Sequence, residues 1–300
     1  MDLPLRLARD CLVLDGCMES LLTAEGVDPG VNHSELNLLD PELVSHVHQR
    51  FASAGADCLT TNTLDASPLR LVRAGIVEQM IAINQAGLDL ARALRPQHIL
   101  AAIAPQRAYA LGDAAEAAKQ VECSLRAQAE VLVEGAPDAL LLDGFGELGE
   151  LKLALQVLAG FRETPLVVSF SLAGVQSLVD GSSLNDAVAL CQGAGVCALG
   201  IADAPDLESA LASLQALTKL TALPIYLEAP ALLADAIGVE PQPATAQQSG
   251  TWAEVFRQHG ASMIGFGRAA TSLHCAAAYA SVGGTDRVLV GLAKEACLNV

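Results

Sequence analysis

The chain alternates short, continuously apolar runs with helix-length stretches. The runs fall at residues 12–16, 57–61, 99–104, 138–143, 166–171, 197–201, 223–228 and 262–266, and each ends in small, polar or acidic residues. Each is too short for a buried helix and too evenly apolar for a strand with one wet face. The pattern therefore predicts parallel strands covered on both sides. Eight strands alternating with helices over 300 residues predict one (β/α)8 barrel, an α/β fold forming a single domain over 1–300. A doubly wound sheet is the competing architecture. It usually carries a Gly-rich phosphate turn after its first strand, and here that turn reads Asp15-Gly16-Cys17-Met18-Glu19.

Local signals place the helices. Asp40-Pro41-Glu42 supplies an N-cap and an N1 proline to a helix with Leu43, Val47 and Phe51 on one face, and Ala54-Gly55-Ala56 stops it. Ser182-Ser183 opens a second helix, and residues 114–134 form a third. Two connections are long, 17–40 and 229–250. In a barrel both lie at the C-terminal mouth, where long loops build lids and pocket walls. Trp252, opening the helix before the eighth strand, is expected to pack.

Composition narrows the classes. Hydrophobic residues make up 52% and charged ones 17%, enough apolar surface to fill a barrel and its ring of helices. The net charge of −17 argues against nucleic acid and anionic membranes as partners, both of which need a basic surface. No apolar run reaches membrane-spanning length and no leader pattern opens the chain, so a cytoplasmic location is expected. The eight cysteines are scattered without a C-x-x-C pair and read as reduced. His46 and His48 are two apart on a helix and cannot converge. His33, His98, His259 and His274 show no ligand spacing, and a surface or helix-ring role is expected for them.

Several motifs, in order along nearly the whole chain, resemble the homocysteine S-methyltransferase family. Leu14-Asp15-Gly16-Cys17-Met18-Glu19 is similar to the family's LDGGMGT. Ala54-Gly55-Ala56-Asp57-Cys58-Leu59-Thr60-Thr61-Asn62-Thr63 is similar to AGAD-x-x-TTNT. Leu39 to Val44, Ala66-Ser67, Val167 to Ser171, Asp180-Gly181 and Gly260 to Gly265 continue the likeness. The resemblance implies a homocysteine-binding barrel, a small thiol amino acid and a methyl donor as substrates, and methionine formation.

It also implies a zinc ion held by three cysteines, one after strand six in G-x-N-C and two after strand eight in G-G-C-C, which binds homocysteine as thiolate. Here those motifs read Gly200-Ile201-Ala202-Asp203 and Gly265-Phe266-Gly267-Arg268. Asp203, Gly267 and Arg268 take the places of the thiolates. A guanidinium repels a metal cation at ligand range, so no metal or other cofactor is expected. Arg268 either substitutes electrostatically for the ion, pairing with Asp203 or an anionic part of a ligand, or forms with Asp203 a salt bridge that plugs a dead site.

Other mouth residues follow from the same resemblance. Asp15 is ligand-facing or a turn former. Asp143 stands where the family has the glutamate that receives the substrate ammonium; the lost methylene retracts its oxygens by ~1.5 Å. Thr61 and Asn62 contact a substrate carboxylate or hydrogen-bond their own turn. Glu228 closes strand seven and, with Asp15, Asp143 and Asp203, makes the mouth favour an amine or other cation. Cys17 is an inert thiol or, if exposed beside Arg268, a low-pKa thiolate.

These residues support a divergent S-methyltransferase that moves a methyl to the sulfur of a small thiol amino acid without zinc. The alternative is an inactive barrel that binds an amino acid or a partner protein. A weaker alternative uses Cys17 as nucleophile. The apolar stretches 276–280 and 288–292 either pack internally or serve a homo-oligomer or partner interface.

Overall fold

The computed structural model describes residues 1–202, 204–233 and 242–282. Its eight barrel strands are β1 (Leu12–Val13), β2 (Cys58–Thr60), β3 (His98–Ile103), β4 (Ala139–Phe145), β5 (Leu166–Gly174), β6 (Ala198–Ala202), β7 (Ile225–Ala229) and β8 (Ala261–Phe266). They pair in parallel in the order β1-β8-β7-β6-β5-β4-β3-β2. A bridge between Leu14 and Cys58 closes the ring. All eight predicted strands are present in the predicted order.

The continuous apolar character of the strands reflects two cores, one on each face. Leu12, Leu14, Cys58, Leu100, Leu141, Val167, Tyr226 and Met263 form the cluster inside the barrel. Val13, Leu59, Ala101, Leu142, Val168, Leu227 and Ile264 pack outward under the helices. Side chains alternate across a strand, so neighbouring positions serve different cores and both must be apolar. The short helix Leu3–Leu7, capped by Asp2 and not anticipated from the sequence, adds Leu3 and Leu7 to the inner cluster.

Predicted helices at 40–54 and 114–134 appear as Pro41–Ala54 and Ala114–Glu134, capped by Asp40 and Asp113. Gly55, at φ 103°, ends the first as expected. Two boundaries differ. The connection 17–40 contains a helix, Met18–Ala24, a 3-10 turn, His33–Glu35, and a further turn, Leu36–Leu39. The connection 229–250 is shorter than predicted, because Thr245 and Gln248 form a capping box that starts Ala246–Gln258. Trp252 in that helix packs on Phe256, ring centroids 5.6 Å apart. Ala276, Ala277 and Ala278 are buried in the helix Ser272–Val282, which favours internal packing for that stretch. The stretch 288–292 lies outside the described residues. No described helix is long and apolar enough to cross a membrane.

Backbone approach at β6 fixes the floor of the mouth. A Cβ on Gly200 would overlap Cδ1 of Tyr226 and stand 2.9 Å from its carbonyl oxygen, so neither side chain nor backbone can simply rotate away. Gly200→Ala is expected to destabilise the fold by about 1–3 kcal/mol, measured by urea denaturation. An unchanged midpoint would mean that β6 and β7 slide apart freely.

Candidate active site

The same alternation that builds the inner core carries on toward the mouth. Position by position above the core, Thr60, Asp143, Ser169, Tyr226, Glu228 and Gly267 continue the inward-facing rows. The C-terminal ends of the strands thus surround a cavity of about 670 Å³, which Asp15, Cys17, Thr60, Asp143, Glu228 and Arg268 help to line. In a barrel this is the end at which ligands bind.

Asp15 is 3% exposed. Its Oδ2 accepts from the Thr60 amide at 2.8 Å and its Oδ1 from the Thr60 hydroxyl at 2.9 Å. Burial pushes its pKa from 3.8 up to about 7, against the lowering effect of those bonds. It therefore joins β1 to β2 and also faces the cavity. Asp143 accepts from the Ser169 hydroxyl, which in turn accepts from the Gly144 amide at 2.8 Å. A carboxylate oriented in this way is ready to receive an ammonium.

Tyr226 is one site residue that sequence reasoning missed. It is fully buried, and its hydroxyl donates to Oε2 of Glu228 at 2.7 Å. Burial first, then the charge of Glu228 and of Asp143, holds the phenol well above its ordinary pKa. The inward position of Tyr226 two residues before Glu228 was a readable signal. Its apolar neighbours made it look like core alone.

Cys17 caps the helix Met18–Ala24 and is half-buried. Burial pushes its thiol up to about 11, and the charge of Glu228 adds to the rise. A low-pKa thiolate beside Arg268 required exposure and a dominant cation; the structure supplies burial and a carboxylate. The weaker alternative, Cys17 as nucleophile, therefore has no electrostatic support here.

Thr61 and Asn62 are engaged by the fold. The Thr63 hydroxyl donates to the Ala102 carbonyl at 2.8 Å, which leaves the Thr61 hydroxyl to donate to Thr63 at 2.6 Å. The Asn62 side-chain amide donates to the His33 carbonyl at 2.8 Å and to Oδ1 of Asn37 at 3.0 Å. Both hydrogens of that amide are used by His33 and Asn37, outside its own turn, so neither expected role describes the Asn62 amide and a substrate carboxylate needs other donors. His33 also departs from expectation. It is 5% exposed and lines the cavity, where a surface or helix-ring place was anticipated.

Arg268 lies at the rim and donates from Nη2 to the Ala204 carbonyl at 3.0 Å. Asp203 lies outside the described residues, so its expected pairing with Arg268 belongs to the sequence reading alone. Among the described residues no three His, Cys, Asp or Glu groups gather in a metal-holding cluster.

A (β/α)8 barrel with a polar cavity at its C-terminal mouth defines an enzyme-like class, and comparison narrows it. Residues 12–277 match the sequence model of the homocysteine S-methyltransferase family, and the chain belongs to that family. A homocysteine S-methyltransferase of Escherichia coli (strain K12) is 30% identical over 239 residues, covering 72% of this chain and 76% of the relative. The homocysteine S-methyltransferase YbgG of Bacillus subtilis (strain 168) is 28% identical over 239 residues, covering 71% and 75%. The metallated crystal form of the homocysteine methyltransferase MmuM from Escherichia coli superposes with a TM-score of 0.78 at 25% identity, covering 92% of this chain and 98% of that one.

The zinc that the family resemblance implies does not fit the residues present. A Cβ at position 267 would fall 2.5 Å from Oε1 of Glu228, so the carboxylate occupies the space a side chain there would take. Position 268 presents a guanidinium, which repels a cation. No step through a metal is derived.

Asp15 gives this site a pH signature. The folded state keeps its proton up to about 7, whereas an unfolded aspartate releases it near 3.8. The folded state therefore binds more protons in that interval, and wild-type stability falls as pH rises through it. Asp15→Asn carries no such loss. The stability of the variant relative to wild type is expected to improve between about pH 4 and pH 7, measured by urea denaturation at both ends. A constant difference would mean that Asp15 stays ionised throughout.

Proposed function

We propose that the protein transfers a methyl group to the sulfur of a small thiol amino acid, in a cavity that uses carboxylates and Arg268 where the family resemblance implies a thiolate-held ion. The observation that carries this reading is Glu228 filling the space beside Gly267, with Tyr226 hydrogen-bonded to it. The substrate ammonium meets Asp143, whose orientation Ser169 holds, together with Asp15.

The chemistry balances without a metal. The thiol sulfur forms a bond to the methyl carbon of a sulfonium donor while the donor's own sulfur–methyl bond breaks, leaving a neutral thioether. The thiol proton passes to a mouth carboxylate. Asp15, raised to about 7, suits that task at neutral pH. A free thiol of pKa about 8.5 is only a few per cent thiolate at pH 7, which costs about one to two decades in rate. Arg268 at the rim offsets negative charge developing on the sulfur. The acidic surface and reduced thiols suit work in the cytoplasm, and the product is a methionine-type thioether.

One observation favours a second reading, a barrel that binds an amino acid without turning it over. The surroundings that push Cys17 up to about 11 also oppose ionisation of a bound thiol.

Methyl transfer from a methylated sulfonium amino acid to homocysteine, followed by mass spectrometry alongside metal analysis, tests both. The expected result is turnover by metal-free protein that a chelator leaves unchanged, with kcat/KM about tenfold or more lower in Arg268→Ala. Stoichiometric zinc would overturn the proposal. Homocysteine binding with no turnover would select the second reading.

A further inference from the structure

We infer that His33 and Arg70 form a carboxylate subsite on the wall of this cavity, so that a zwitterionic ligand lies with its acid end over β2 and β3 and its cationic group on the Asp143 side. The inference rests on the amino-acid reading above and adds residues that neither the motifs nor the family likeness singled out.

Donor availability is the starting point. Of the groups first expected to meet a carboxylate, the Asn62 amide and the Thr61 hydroxyl are engaged within the fold. His33 and Arg70 both line the cavity and both retain buried nitrogens with no partner, Nε2 of His33 and Nε of Arg70. An orphaned buried polar atom in a native fold calls for an explanation, and a ligand supplies one here.

Arg70 is held rigidly. Its Nη1 donates to Asp65 and to the Tyr109 hydroxyl at 3.2 Å, its Nη2 donates to the Pro105 carbonyl at 2.8 Å, and its guanidinium lies 4.5 Å from the centroid of the Tyr109 ring. That leaves Nε–H and one Nη2–H, the two kinds of donor a bidentate carboxylate takes. Asp65 pairs with the guanidinium, while Arg73, whose own guanidinium lies 4.8 Å from the centroid of the same Tyr109 ring, adds positive charge nearby.

The turn that carries His33 is tied to Asp65, the ion-pair partner of Arg70. The Asn32 side chain donates to the Asp65 carbonyl at 2.9 Å, the Asp65 amide to the Ser34 hydroxyl at 3.2 Å, and the Asn62 side chain to the His33 carbonyl at 2.8 Å. The 3-10 turn His33–Glu35 is thereby clasped to the turn after β2. In the ring order β4, which carries Asp143, is next to β3. The ammonium and carboxylate of an α-amino acid share one carbon, so an acid group held at Arg70 leaves the ammonium on the side where Asp143 lines the cavity.

Calorimetry with matched probes tests the subsite and identifies which substrate's carboxylate it takes. Homocysteine is compared with 3-aminopropane-1-thiol, the same molecule without its carboxylate, and glycine betaine with tetramethylammonium. In wild type, the acid-bearing member of at least one pair is expected to bind about ten- to a hundredfold more tightly. His33→Ala and Arg70→Lys are expected to erase that preference while leaving the affinity of the acid-free member unchanged. His33→Gln, which keeps a donor, is expected to retain part of it. The unchanged acid-free probe shows that the cavity is intact, so a folding defect is not mistaken for the effect. Failure of wild type to bind either acid-bearing probe, or equal loss of both members of a pair in the variants, would overturn the subsite. Carboxylate-dependent binding without methyl transfer would leave it standing and remove the transfer reading.

Discussion

The closure of the barrel depends on two buried aspartates at the seam between β1 and β2. β1 is only two residues long, and one bridge, Leu14 to Cys58, joins it to β2. Asp57 accepts from the Val13 amide at 2.9 Å on the lower side, and Asp15 accepts from the Thr60 amide at 2.8 Å on the upper side. The carboxylates satisfy backbone donors that a longer ladder would have paired. Asp15 is therefore structural and cavity-lining at once, and its high proton affinity follows from being buried for the first purpose. A carboxyl poised to exchange a proton near neutral pH appears in the mouth as a consequence of how the ring is closed.

The remaining mouth residues form a set that makes spatial sense only together. Tyr226 reaches inward because position 200 lacks a Cβ, and Glu228 stands where it does because position 267 lacks one. The Tyr226 hydroxyl then gives Glu228 a buried donor. A side chain added at 267 would have to displace the Glu228 carboxylate, so the two positions share one space. Neighbouring sites that share space do not contribute independently.

Much of the fold was legible because β-strand parity and helix caps are local. Leu12, Leu100, Leu141, Val167 and Met263 announce the inner core, and extending the rows of Leu141 and Tyr226 upward by two residues reaches Asp143 and Glu228. The engagement of Asn62 was not legible, since its partners His33 and Asn37 lie 29 and 25 residues away. His33 and Arg70 were missed for a related reason. Nothing near either in sequence marks it as cavity-lining, and only the clasp between residues 32–34 and 62–65 brings them together. The connection 17–40 looked like irregular loop because its helical turns are short, each too brief to show a period.

The electrostatics of the cavity bind its two ends to one another. Beyond burial, Glu228 and Asp143 raise the cost of ionising the Tyr226 phenol, and Asp15 adds to that field. An ammonium entering at this end relieves the repulsion and favours the ionised form of Asp15. By linkage, ligand affinity and Asp15 deprotonation then reinforce each other around neutral pH. A thiolate-held metal would fix the charge of the site permanently. In the proposed transfer the charge is set instead by the arriving ligand, whose ammonium readies Asp15 to take the thiol proton.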